Sequence, residues 1–386
     1  MAIKGRILSQ QDMGDILLGG AFLGSGGGGP LGMSREVLAA ILAEEPSGSR
    51  VLLCDPGWIA REAWYGVVAF FGSPTAATQQ ATSDYRALDR AFQALAAAKG
   101  VTLAGVVPVE VGAVNSLAPM LVGCRAGLPV IDADGAGRAV PSLEVLTFAE
   151  GTSLSDGRRL PIAPVIYTAE DGTCIEVTAQ YPQQVEAVGI SIAAGAAFGG
   201  LGAMAMWAMR GMDLRRVGVP GGISRAQRIG AAWRTASSTG ADPVAAILAA
   251  LDGDGGVLFR GKLVEIQQSS ASGLDLGRIR FHSEDHVGLT IYDQNENLFA
   301  YRSDGGAPVI MGPDLICYLG PDGPCSNAEL VGAGGASPYA GQPFTIIGVK
   351  APRKLREPGM IERFLRHCRP LGYAGPYLQF QPSSPA

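Results

Sequence analysis

Residues 101–138 read VTLAGVVPVEVGAVNSLAPMLVGCRAGLPVIDADGAGR. The first nine are mostly apolar and predict a strand over 101–109. A helix is predicted from Asn115 to about Ala126, and LPVID at 128–132 predicts a second strand. Apolar strands alternating with helices imply a parallel sheet covered on both faces. Outward from this unit the alternation continues. RVLLC (50–54) and YGVVAFF (65–71) read as strands, and DYRALDRAFQALAAA (84–98) reads as a strong helix. Further back, Ser9 and Asp12 form a capping-box pattern before a helix over 10–20. A second helix is expected from about Ser34. Between the two helices lies LGSGGGGP, residues 23–30. Phosphate loops follow a strand and end in Gly-Lys-Ser/Thr, whereas this run follows a helix and ends in Pro30.

Beyond residue 160 the pattern changes. A hairpin is predicted over 161–179 around Glu170-Asp171-Gly172, then helices over much of 183–250, including SRAQRIGAAWRTA at 224–236. From 256 to 350 short strands with turn signals predict a β-rich body. The expected fold class is an α/β N-terminal domain with a mostly parallel sheet, plus a β-rich α+β C-terminal domain. The domains are placed at 1–170 and 171–377, β-rich after 255, with a tail over 378–386. Residues 187–209 carry no charge and are long enough to span a bilayer, but their Gly and Ala content gains little from lipid. A buried helix pair with a glycine break is predicted there, and no membrane association.

Composition narrows the function. The chain has 386 residues, 55 of them Gly, and 17% charged residues, which implies a large core and favours a homo-oligomer. A net charge of −5 leaves no Lys/Arg surplus for nucleic acid. The six cysteines show neither zinc nor disulfide spacing, and the N-terminus lacks the apolar run of a signal peptide, so a reduced, cytoplasmic protein is expected.

In an open α/β sheet, ligands bind beyond the carboxyl ends of the strands. The loops there carry Gly72-Ser73-Pro74-Thr75, then Glu110 to Asn115, then Asp132 to Arg138. They gather Glu110, Asn115, Asp132, Asp134 and Arg138 at one sheet edge. A desolvated carboxylate can serve as a general base, and Glu110, Asp132 and Asp134 together are candidate ligands for a divalent metal. Set against this, Asn115 and one Asp can be helix caps, and Arg138 a structural ion pair. His282 and His286 fall in a strand, a turn and a strand, where they read as solvated. His367-Cys368 reads as the exposed end of a helix around 358–367. Lys262 reads equally as functional or as exposed.

In order along the chain, LGSGGGGP (23–30), EVGAVNS (110–116), GLPVIDADGAGRAVP (127–141), RGKL (260–263), NENLFA (295–300) and GPDLI (312–316) resemble the S-methyl thiohydantoin desulfurase family. The resemblance runs from about Leu8 to Tyr377. It implies an α/β N-terminal and a β-rich C-terminal domain, and hydrolysis of a small hydantoin-like ring with release of methanethiol. The family also occurs beside hydantoinase and oxoprolinase genes, which implies a hydantoinase-type protein partner as the alternative role. Members often carry Glu-Lys after a Gly-Ala-Pro-Thr turn, where this chain has Gln79 and Gln80. The hydrolase expectation assigns base or metal-holding roles to Glu110 and Asp134. The backbone of Ser25, Gly26, Gly27 and Gly28 would stabilise developing charge, with Thr75 and Asn115 beside the ligand. Arg138 would grip a substrate carboxylate. From the C-terminal side, Lys262 as a catalytic residue and Asn295 as a binding residue are chosen because they sit in the shared motifs.

Overall fold

The computed structural model describes residues 4–44, 50–72, 84–271, 274–331 and 337–382. The strands of the first half are β1 (Gly5–Ile7), β2 (Leu52–Cys54), β3 (Trp64–Gly72), β4 (Leu103–Pro108), β5 (Val130–Ile131), β6 (Ala133–Asp134), β7 (Val165–Thr168), β8 (Cys174–Val177), β9 (Leu201–Arg210) and β10 (Val219–Pro220). Among the described residues eight of them form one sheet in the order β1-β2-β5-β4-β3-β9-β7-β8. Its centre, β2, β5, β4 and β3, is parallel. Antiparallel strands extend it on both sides. Both faces of the centre are buried, as its continuous apolar runs require. Along β3, Val67 and Val68 are both fully buried but pack into two different core clusters, because successive side chains point to opposite faces. Helices Arg86–Lys99 and Ala113–Ala126 pack on this sheet, and Leu31–Glu44 packs on Ala113–Ala126.

The second half carries β11 (Gly255–Ala271), β12 (Leu274–His282), β13 (Gly288–Gln294), β14 (Glu296–Arg302), β15 (Pro308–Met311), β16 (Leu315–Gly320), β17 (Gly323–Cys325) and β18 (Pro343–Val349). They form an antiparallel sheet in the order β15-β14-β13-β12-β11-β18-β16-β17. The α/β half and the β-rich half both stand as the sequence predicts.

The structure corrects the reading of 187–209. Only Pro182–Ala193 is helical, and Leu201–Arg210 is strand β9, seated between β3 and β7. Eight of its ten residues are buried, and a strand buried on both faces presents the same unbroken apolar run as a buried helix. β9 therefore enters the first sheet from beyond residue 170. No helix among the described residues is long and apolar enough to cross a membrane.

The halves are bound closely. Helix Gln10–Leu23, capped by Ser9 and Asp12 as expected, lies against helix Gly222–Thr239. The crossing is tight because the contact points are glycines. A Cβ added at Gly19 would stand 1.7 Å from the Ala226 carbonyl oxygen, and one at Gly230 would stand 1.9 Å from that of Asp15. A buried core runs from Phe22 and Leu23 through β4 and β9 to Leu298, Phe299 and Phe364.

Candidate active site

A cavity of about 350 Å³ opens between the two halves, within the usual range of small-molecule sites. The first half brings Gly28, Glu110 and Asn115 to it, and the second brings Gln294, Asn295, Glu296 and His367.

Glu110 follows β4 and precedes helix Ala113–Ala126. That helix begins two residues earlier than predicted, with Gly112 at its N-cap, so Asn115 is not a cap. Its side chain positions Glu110 instead. Asn115 Nδ2 donates to Glu110 Oε1 at 2.9 Å, while Phe70 N donates to Asn115 Oδ1 at 3.2 Å. Val140 N donates to Glu110 Oε2 at 2.7 Å. Burial pushes the Glu110 carboxyl up to about 7, against the pull of those donors and of Arg138.

Facing it from the other half is Glu296, at the start of β14 and 4% exposed. Burial, and then the charge of Glu110, raise its carboxyl well above the ordinary range. The Gly28 amide donates to it. Its Oε2 has no hydrogen-bond partner among the described residues. Two buried carboxyls this strongly linked retain a proton between them near neutral pH, since burial and mutual repulsion both oppose double ionisation. Such a pair can take a proton from one atom of a ligand and give a proton to another.

The glycine run explains how the halves meet here. Gly28 has φ +77°, and a Cβ on it would lie 2.4 Å from the Gly112 Cα. Only glycine lets these two backbones touch. Val114 N donates to the Gly28 carbonyl at 2.9 Å. Residues 23–27 of the run do not line the cavity. Ser25 is fully buried and accepts from Ile316 N at 2.9 Å. Asn297 N donates to the Ser25 carbonyl, and Asn327 N to that of Gly26, both at 2.7 Å. A Cβ on Gly27 would meet Glu296 Oε1 at 2.0 Å. Ser25, Gly26 and Gly27 thus anchor the run to the second half, while Gly28 and Gly29 line the space.

Several expected site residues are placed elsewhere. Asp132 caps helix Gly222–Thr239, accepting from Ile223 N at 3.0 Å and Ser224 N at 3.2 Å. Asp134 lies outside the cavity lining and is fully buried, with Oδ1 accepting from Ala136 N at 2.7 Å and also from Gly137 N. The trio Glu110, Asp132 and Asp134 does not converge. Among the described residues no group of three or more His, Cys, Asp or Glu could hold a metal ion. Arg138 does not line the cavity. Its guanidinium is fully buried and donates to the carbonyls of Ala139 at 2.7 Å, Pro313 at 2.8 Å and Asp314 at 3.0 Å, and more weakly to Asn297. It is an internal strut between the halves. Lys262 is exposed on β11, between His282 and Pro343, and does not line the cavity. Asn295 does line it, with φ 58°. Thr75, Gln79 and Gln80 lie outside the described residues.

Two groups escaped the sequence reading. Glu296 sits beside Asn295 in the same quoted motif, and because Asn295 precedes β14 in a left-handed turn, both residues reach the cavity. His367 is largely buried and lines the cavity rather than being exposed. Its Nε2 is 3.2 Å from Glu144 Oε1, and its Nδ1 is 3.4 Å from Gln294 Oε1. Met360, Phe364 and Cys368 are buried on its helix, and helical spacing puts His367 on that same face.

Comparison with known proteins agrees with this architecture. A crystal structure of a protein from Chromobacterium violaceum superposes with a TM-score of 0.82 at 29% identity, covering 97% of this chain and 99% of that one. No curated protein matches. A family model described as the S-Me-THD-like N-terminal domain matches residues 11–179, and its C-terminal counterpart matches 182–376. Because the two models follow one another along nearly the whole length, the chain belongs to the S-Me-THD-like family.

Proposed function

We propose that the cavity hydrolyses a small hydantoin-like ring, an S-methyl thiohydantoin or a related cyclic amide. The observation that carries this is the pair of buried carboxyls, Glu110 and Glu296, facing one cavity with a proton to share. Family membership supports a thiohydantoin-related role.

The reaction divides into addition and collapse. Glu110, as carboxylate, takes a proton from water while the water oxygen bonds to the ring carbon bearing sulfur. Glu296, as acid, protonates the adjoining ring nitrogen. In the collapse the new C–OH becomes C=O, its proton returns to Glu296, and the C–S bond breaks. The leaving sulfur takes the proton held by Glu110. Methanethiol and a hydantoin result, and both carboxyls are reset. A general base works best when its pKa lies near the operating pH, and burial brings Glu110 there. Asn115 and the Val140 amide fix its orientation.

The test is methanethiol release from S-methyl thiohydantoins by the wild type and by Glu110→Gln and Glu296→Gln. Loss in both variants, with unchanged circular dichroism, supports the reading. Full activity in either one refutes it.

A further inference from the structure

The two large sheets end in strands that are short and interrupted by charge or proline. β1, with Arg6, and β17, with Pro324, have three residues each. β8, with Glu176, and β15, which opens on Pro308, have four. Such ends resist pairing with another chain. The far half of β11 is built differently. On one side it pairs with β12 from Lys262 to Ala271. On the other it pairs with β18 only up to Lys262, and the last bonds there join Leu263 to Gly341 at 2.8 Å and to Gln342 at 3.0 Å. Beyond that point residues 264–271 have no partner strand on this side among the described residues. Their sequence is VEIQQSSA, with no Pro or Lys and a single charge, Glu265. The bulge in the β12 ladder lies between Leu263 and Glu265, so the ladder is regular from Glu265 onward. Val264 is 51% exposed. A long bare edge of this kind is a template for a further strand.

We propose that this edge is a homodimer seam, in which residues 264–269 of two copies pair antiparallel about a two-fold axis through Ile266. Opposite residues in an antiparallel pair share a face, so a strand meets its own copy only in a register centred on one residue. Centring on Glu265 would set two carboxylates against each other. Centring on Ile266 brings the two isoleucines together. Each packs against the core cluster that holds Ile279, its neighbour on β12, so an apolar row crosses the seam on that face. On the opposite face lie Glu265, Gln267, Arg278 and Arg280. In this register each Glu265 stands opposite the partner's Gln267, and two strand spacings, about 10 Å, from the partner's Arg278. The two long side chains span that distance. Within its own chain Glu265 is held by Arg280 at 2.8 Å and by Gln267, whereas the Arg278 Nε has no hydrogen-bond partner among the described residues. The seam offers that guanidinium a carboxylate, and this match of the edge to itself selects a second copy over a foreign strand.

Sedimentation velocity of the full chain across a concentration series is expected to show a dimer in the wild type. Ile266→Lys, which sets two ammonium groups face to face on the axis, should dimerise at least about tenfold more weakly. A wild type that stays monomeric overturns the proposal, and so does a dimer that the lysine leaves unchanged. The register is read by disulfide trapping in a Cys174→Ser background, because Cys174 is the exposed cysteine and the other five are buried. Opposite Cα atoms in an antiparallel pair are about 4.5–5.5 Å apart, within disulfide reach, whereas a four-residue offset is about 13 Å. Ile266→Cys should therefore cross-link into a dimer on mild oxidation, and Val264→Cys should not. Should the lysine variant not fold, this pair decides: no cross-link at 266, or equal cross-linking at 264, overturns the proposal.

Discussion

Replacing Asp134 with Asn separates a structural carboxyl from a catalytic one. The side chain is fully buried, one oxygen accepts from the Ala136 and Gly137 amides, and Oδ2 has no hydrogen-bond partner among the described residues. Burial pushes its pKa to about 7 from an ordinary 3.8. A raised pKa means that the folded state holds its proton more tightly than the unfolded chain. The resulting stability is therefore complete below about pH 4 and is lost as pH rises through about 7. Each pH unit in that window removes about 1.4 kcal/mol, so between about pH 5 and pH 7 the wild type loses about 3 kcal/mol from this group. Asn mimics the protonated acid and does not titrate. Its buried amide hydrogens cost about 1–3 kcal/mol, but equally at every pH. Denaturant unfolding of both proteins from about pH 5 to pH 8 should show the variant gaining on the wild type by about 3 kcal/mol, or about 4 °C in melting temperature for a chain of 386 residues. Because Asp134 does not line the cavity, turnover should survive. A stability difference that is flat with pH refutes the buried neutral acid. Abolished turnover in a folded variant refutes the placement of Asp134 outside the chemistry.

Gly28→Ala should cost about 2–5 kcal/mol, from a left-handed backbone and the contact with Gly112, and lower the melting temperature measurably. The methanethiol-releasing rate should fall below about pH 7, where Glu110 becomes protonated and ceases to be a base; a rate unchanged down to about pH 5 excludes it. Arg138→Met strands the carbonyls of Ala139, Pro313 and Asp314 and should destabilise by about 3 kcal/mol or more, read by urea unfolding. Lys262→Ala should leave both stability and activity within error, since the side chain is exposed and away from the cavity.

The elements that sequence reveals well are those whose signal is local. The Ser9–Asp12 capping box, the β7–β8 hairpin around Glu170-Asp171-Gly172 and the parallel centre of the first sheet each follow from residues near one another in the chain. What was hidden depends on distant partners. β9 gains its strand identity from β3 and β7 on either side. Capping preference favours Asn115 as a helix start, but Gly112 takes that place because Gly28 needs the room. Of the sheet-edge cluster, Glu110 and Asn115 face the cavity, while Asp132 and Asp134 are spent on backbone amides and Arg138 on backbone carbonyls. The sequence brings these five to one edge, but their directions are set by partners as distant as Ser224 for Asp132, 92 residues away, and Asp314 for Arg138, 176 residues away.

The way the glycine run is anchored bears on how this protein can be recombined. A breeder of chimeras would cut near residue 180, where the two matched domains adjoin. That cut leaves helix Gln10–Leu23 and residues 25–27 on one parent, but their seats are on the other. Helix Gly222–Thr239 receives the first, and Glu296, Asn297 and Asn327 receive the second. In the folded molecule the seam runs behind the first thirty or so residues. An exchange that respects it moves residues up to Gly27 together with everything after β9, and leaves the intervening stretch, β9 included, as the insert.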